Sequence, residues 1–285
     1  QPAFALSGTC ALLYTGSMSI MSVLIIVSLS HAFALCVALL LLSKRTSLLE
    51  MCVARMEYLR PAIRYGVKAH LGNILTFLNY RLDLFLINLI VGPAAVGVYT
   101  IAARLTQQLW LISQAVVTVI LPRLSAMGHD VHARRSFTSL MARLVFWATT
   151  AAGALLAAIS QQLIDFLFGS EFSEASIIVL LLLPGICLFS LTRILANDFA
   201  SRGWVGLNLM LTGIVLMFNT IANLALIPVY GVAGAAIATS AAYIVSLLIR
   251  FALQRRLTNI PWIECFVFNR SDFSMMLRFL EGRKT

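Results

Sequence analysis

Residues 3–42 carry no Asp, Glu, Lys or Arg. Wound as one helix at about 1.5 Å per residue, so long an uncharged stretch would reach about twice the ~30 Å thickness of a bilayer's hydrocarbon core. It is too long for one crossing and too apolar for water. It must therefore turn, and the turn is expected at Tyr14-Thr15-Gly16-Ser17. Apolar runs of spanning length return at 63–91, 94–121, 137–160, 175–196, 205–227 and 232–251, punctuated by Gly92-Pro93, Pro122, Gly169, Gly203 and Pro228. With the opening hairpin they predict about eight transmembrane helices in an all-α, polytopic membrane bundle. Composition agrees: 60% of the 285 residues are hydrophobic and 11% are charged, which is more apolar surface than a soluble core of this length buries.

Charge gives the orientation. The 21 Lys and Arg residues avoid every second loop. Lys44, Arg45, Arg55, Arg60 and Arg64 share one loop with Glu50 and Glu57; Arg123, Arg134, Arg135 and Arg143 share the next basic loop, and Arg202 marks a third. The intervening loop holds Asp165, Glu171 and Glu174 and no base. The positive-inside rule makes the basic loops cytoplasmic, together with the tail that carries Arg255, Arg256, Arg270, Arg278, Arg283 and Lys284. A net charge of +10 spread over short loops fits anionic membrane lipids, with Pro261-Trp262 as an interfacial anchor, and does not fit a nucleic-acid surface.

Catalytic and cofactor signatures are missing from the sequence. There is no GxxxxGK[ST] loop, HExxH, GxSxG elbow or DxD pair. Cys10, Cys36, Cys52, Cys187 and Cys265 form no CxxC and no Cys/His pattern, so they read as small apolar filler, with no metal and no cofactor expected. The chain is expected not to be an enzyme. It begins Gln1-Pro2 without Met, as a piece of a longer protein would.

An ionised side chain at mid-span costs about 2.5–3.5 kcal/mol even on the lenient insertion scale. Arg81, Asp83 and Arg104, on two adjacent predicted spans, therefore need a reason. The turn at Gly92-Pro93 sets Arg81 and Arg104 at one depth. At about 100° per residue, His70, Asn73, Arg81 and Asn88 share a face of the first helix, and Thr100, Arg104, Gln107, Gln108, Gln114 and Thr118 share a face of the second. Two facing polar stripes predict a wet groove with a net positive site for an anion, since guanidinium keeps its charge when desolvated and binds phosphate through two parallel hydrogen bonds.

Asp83 falls on another face. It can pair with an Arg, brace a third helix or serve ion coupling, for which His70 is the other candidate. Arg193 and Asn197, one turn apart, form either a gate or a solvated helix end, and Asn219 and Asn223 read as interhelical hydrogen-bonding residues.

The run RYGVKAHLGNILTFLNYRLDLFLINLIVGPAAVGVYTIAARL with LPRLSA, followed by FLFGSEFSEA, LLLPGICLFSLTRILANDFASRG and NTIANLALIPVYGVAGAAIATSAAY, resembles the second half of a polysaccharide-unit flippase. That branch belongs to the multidrug, oligosaccharidyl-lipid and polysaccharide exporter superfamily, and the likeness covers 60–253. The resemblance implies a two-bundle exporter fold, present here in part. Residues 1–43 would be two helices from the end of the first bundle, 44–62 a cytoplasmic amphipathic loop, 63–253 the second six-helix bundle and 254–285 a cytoplasmic basic tail.

It further implies a multi-pass protein of the cell inner membrane. Its function would be to flip polyprenyl-diphosphate-linked oligosaccharide units for surface polysaccharide such as O-antigen, capsule or exopolysaccharide, alongside polysaccharide polymerase machinery. Cationic residues facing the cavity, Arg81 and Arg104 first, then Lys68 and Arg193, would hold the diphosphate, with Gln107, Gln108 and Asn73 beside them. A multidrug extruder of the same superfamily and a non-transporting scaffold are the alternatives.

Overall fold

A computed structural model describes residues 20–43, 56–127, 130–258 and 261–267. Every element among them is helical. These are α1 (Ile20–Ser43), α2 (Met56–Ile90), α3 (Pro93–Gln107), α4 (Trp110–Ala126), α5 (Val131–Phe168), α6 (Ala175–Ser201) and α7 (Val205–Thr258), with 3-10 turns at Ser170–Phe172 and Trp262–Cys265. The chain is an all-α membrane bundle. By length and composition α1, α5, α6 and α7 are long and apolar enough to cross a membrane, and the pair α3 and α4, bent by 43° at a short break, makes a fifth candidate. The expected count of eight is thus not reproduced as such. The expected turn at 14–17, the basic residues at 44–55 and the tail from 268 lie outside the described residues.

The chain divides into two compact units, up to Arg64 and from Tyr65 onward. In the first, α1 is an uninterrupted apolar helix of 24 residues, about 36 Å at 1.5 Å per residue, sufficient for one crossing.

In the second unit, local chemistry sets the helix ends. Gly92 takes φ 119°, which an L side chain resists, and Pro93 then opens α3 where its missing N–H costs nothing. The Asp130 side chain accepts the Ala133 N–H at 3.0 Å and caps α5, which ends at Gly169 with φ 93°. α7 is two helices in one: Gly231 breaks it at φ 57°, ψ −134°, three residues after Pro228. The expected separate spans at 205–227 and 232–251 correspond to its two halves.

Three expectations are corrected. The helix expected from Ile63 begins at Met56, with Arg60 and Arg64 inside it. The helix expected unbroken over 94–121 breaks at Gln108-Leu109, so a single helical wheel does not describe it. Arg134 and Arg143 are no loop residues: they lie on α5, and both are buried.

Two apolar cores sit along the bundle. One gathers Leu86, Ile87, Tyr99, Ile164, Val179 and Ile227, near the Gly92 and Gly169 turns. The other gathers Ile120, Leu124, Phe137, Leu191, Leu195 and Leu247, toward the basic end. α6 and α7 approach so closely that a Cβ on Gly185 would stand 2.5 Å from the Ser240 Cα, and Ser240 Oγ donates to the Leu181 carbonyl at 2.5 Å. Small residues let helix backbones meet where no hydrophobic force drives association in lipid.

Candidate functional site

Two buried carboxylates organise the second unit, and only one has cations. At the basic end, Asp198 on α6 accepts from Arg134 Nη2 at 3.1 Å, Arg202 Nε at 3.0 Å and Gln254 Nε2 at 3.3 Å. Arg134 Nη1 also donates to the Leu124 carbonyl at 2.7 Å. The Arg134–Asp198 pair thereby ties α4 through α7 together. Asp83 on α2, 3% exposed, is held instead by neutral donors: Tyr99 Oη at 3.0 Å, Thr239 Oγ1 at 2.7 Å, Asn219 Nδ2 at 2.9 Å and Asn223 Nδ2 at 2.8 Å. Each carboxylate oxygen accepts two bonds, from α3 and both halves of α7. Of the readings open for Asp83, the geometry is that of a brace to other helices and not of an ion pair with Arg81 or Arg104. Asn219 and Asn223 make the interhelical bonds expected of them.

With Asp83 turned away, the arginines lack an acid. Arg81 and Arg104 line one cavity of about 140 Å³ together with Gln107, Thr100, Tyr80 and Phe77. Among the described residues neither has a carboxylate within ion-pair distance, and Arg81 lies over the Phe77 ring at 5.6 Å. The Gln108 amide does not enter this cavity but turns to the Arg104 carbonyl at 3.4 Å.

A larger cavity, about 360 Å³, opens between α2, α6 and both halves of α7. Its cations are Lys68, Arg193 and Arg250, and no carboxylate lines it. Asn73, expected beside Arg81, lines this cavity instead, as does Asn197. Arg193 donates to Gln114 and lies over the Trp110 ring at 5.7 Å, and Asn197 Nδ2 donates to the Arg193 carbonyl at 2.8 Å. The break at Gln108-Leu109 explains Gln114: it rotates the second half of the expected stripe away from Arg104 and toward α6. His70 is exposed and lines neither cavity.

The sequence reading missed Arg250 and Asn208. Arg250 falls inside the expected span 232–251, where no role was given to it; it is 5% exposed, and its Nη1 donates to Asn208 Oδ1 at 2.6 Å. The available signal was length: α7 continues to Thr258, so Arg250 is two turns inside its helix.

The two cavities follow each other along α2. Lys68 and Arg81 are separated by about 20 Å at 1.5 Å per residue, and Tyr80 lines both cavities. Low-dielectric walls with cations and no balancing acid concentrate anions. Among the described residues no cluster of His, Cys, Asp and Glu could hold a metal ion.

The chain is 27% identical over 187 residues to the probable low-salt glycan biosynthesis flippase Agl15 of Haloferax volcanii, a match covering 64% of this chain and 39% of that protein. The chain therefore spans about two fifths of that relative's length. No solved structure matches. The model of the family described as polysaccharide biosynthesis protein matches residues 3–177, more than half of the chain, and the chain belongs to that family.

Proposed function

We propose that the chain forms the later helix bundle of an inner-membrane flippase that carries lipid-diphosphate-linked oligosaccharide across the bilayer for surface polysaccharide assembly. One observation carries the reading: two consecutive cavities along α2 present Arg81, Arg104, Lys68, Arg193 and Arg250 and no carboxylate. Desolvating a diphosphate is the cost that keeps a lipid-linked sugar on its own leaflet. Guanidinium groups at two depths offset that cost at two stations, while the lipid tail stays in hydrocarbon. The basic end of the bundle, and with it the tail, is cytoplasmic on this reading.

Binding and release suffice for such a cycle, with no bond made or broken, so the reading is of a transporter and not an enzyme. A drug extruder for cationic substrates calls for carboxylates on the walls of the main cavities, and neither of these two has one; Asp83 lines only a pocket of about 20 Å³, where four neutral donors hold it. A non-transporting scaffold has no use for unpaired arginines facing a cavity. Asp83 has the enclosure an ion-coupling site needs, but its four neutral donors favour the bracing role. Polymerase machinery would act on the product after it has crossed.

The test is to replace Arg81 and Arg104 singly by Gln in the full-length protein and to measure surface polysaccharide against membrane abundance. Each variant is expected to lose at least tenfold of the polysaccharide at normal abundance. Wild-type polysaccharide in both would overturn the reading.

A further inference from the structure

The larger cavity is not a plain anion hole. Three residues that line it each carry a buried polar atom with no hydrogen-bond partner: Asn79 Oδ1, Thr192 Oγ1 and Arg250 Nε. Their residues are 5%, 2% and 5% exposed. Buried polar groups are rarely left unpaired without a reason, and three among the residues lining one cavity point to something that enters it. Their chemistry says what. Arg250 Nε is donor only and Thr192 Oγ1 both donates and accepts. The Asn79 amide offers an acceptor and a donor whichever way it is turned. A diphosphate or carboxylate brings acceptors alone and leaves the Asn79 acceptor unmet. Sugar hydroxyls, each donor and acceptor at once, meet all three.

The neighbouring rings fit the same ligand. Tyr80 and Phe189 line the cavity, and the aromatic series continues behind them: Tyr80 to Trp110 at 4.8 Å, Trp110 to Phe189 at 5.9 Å and Phe189 to Tyr243 at 4.3 Å. A pyranose ring has an apolar C–H face that packs on such a surface while its hydroxyls reach outward. Amides and hydroxyls at Asn73, Asn197 and Thr212 surround the remaining wall.

We propose that the cavity between α2, α6 and α7 is a carbohydrate subsite, in which Asn79 and Thr192 hydrogen-bond hydroxyls of an uncharged sugar ring stacked on Tyr80 or Phe189. This rests on the flippase reading and adds to it a division of labour: the sugar sits here while Arg81 and Arg104 hold the diphosphate in the adjoining cavity.

The experiment uses the full-length protein in detergent and two probes, farnesyl diphosphate and farnesyl-diphospho-N-acetylglucosamine. The unaltered protein is expected to bind the sugar-bearing probe about tenfold more tightly than the bare one. Asn79→Leu and Thr192→Val, which nearly conserve shape, are expected to remove that advantage and leave the bare probe's affinity unchanged, while Thr192→Ser restores it. Retained binding of the bare probe certifies the fold. Equal affinity of the unaltered protein for both probes, an equal loss of both in well-folded variants, or no loss in either variant overturns the subsite. Failure of the unaltered protein to bind either probe would instead overturn the flippase reading on which the subsite rests.

Discussion

Asp83 and Asp198 show what a buried carboxylate can do at two ends of one bundle. Asp198 is matched by the guanidinium groups of Arg134 and Arg202, so removing it strands charge. Asp83 is matched by two hydroxyls and two amides, so removing it takes the shared acceptor from four buried donors. Asp83→Ala should therefore lower stability by about 3 kcal/mol or more, seen as a depressed thermal unfolding midpoint of the purified protein. Asp83→Asn should recover only part of that loss, because its amide nitrogen would meet donors where an oxygen now accepts.

Much of this residue-level arrangement was legible in the sequence. The cost of charge in lipid singled out Arg81, Asp83 and Arg104, and one-turn spacing singled out Asn219 and Asn223. Arg250 with Asn208, and the Asn73 wall, were not legible. A helical wheel ranks positions around one axis but does not say which neighbouring helix faces them.

At the scale of the element, helix ends and close approaches decide the geometry. Hydropathy located the helices, whereas the break after Gln107 lacks Gly and Pro and left no mark in the sequence. Gly185 was equally silent, since only the packed pair reveals that its missing side chain admits the Ser240 backbone. Gly185→Ala should separate α6 from α7 at a cost of about 1–3 kcal/mol, measurable as reduced thermal stability; an unchanged midpoint would mean the helices yield freely.

The segment after α7 forms a strap. Glu264 pairs with Arg135, the backbone carbonyl of Glu264 accepts from Arg143, and the Phe266 carbonyl accepts from Trp147 Nε1 at 3.0 Å. The Arg135 hydrogen bond holds the Glu264 carboxyl below the usual carboxylate range. A depressed carboxylate pKa contributes stability that is fully present above the unfolded value of about 4.3 and is lost as pH falls through the folded one. The pair is partly exposed, so the contribution is screened to about 0.5 kcal/mol. Glu264→Gln is accordingly expected to be slightly less stable than the parent at pH 7 and indistinguishable from it once pH falls below the depressed pKa, as parallel unfolding curves at neutral and acid pH would show.

For the whole molecule, the excess of base serves two surfaces with different physics. Exposed cations such as Arg123, Arg255 and Arg256 face solvent or headgroups at the basic end, where the Debye length shrinks from about 8 Å at physiological salt to about 3 Å at 1 M. Attraction there fades as salt rises. Arg81 and Arg104 line a cavity between α2 and α3 with no carboxylate on its wall, so their hold on a diphosphate should outlast screening of the surface. On the proposed reading, inorganic diphosphate should raise the unfolding midpoint of the full-length protein, with about 2.7 kcal/mol of stabilisation at a hundredfold excess over its Kd.

Raising NaCl from 0.15 to 0.5 M should weaken that effect only a few-fold, while adsorption of the protein to anionic vesicles through its basic end collapses. Arg81→Gln combined with Arg104→Gln should sharply reduce the diphosphate effect and leave vesicle adsorption as it was. If diphosphate stabilisation instead falls as steeply with salt as adsorption does, the anion is held at the surface, and the cavity arginines have no anionic cargo.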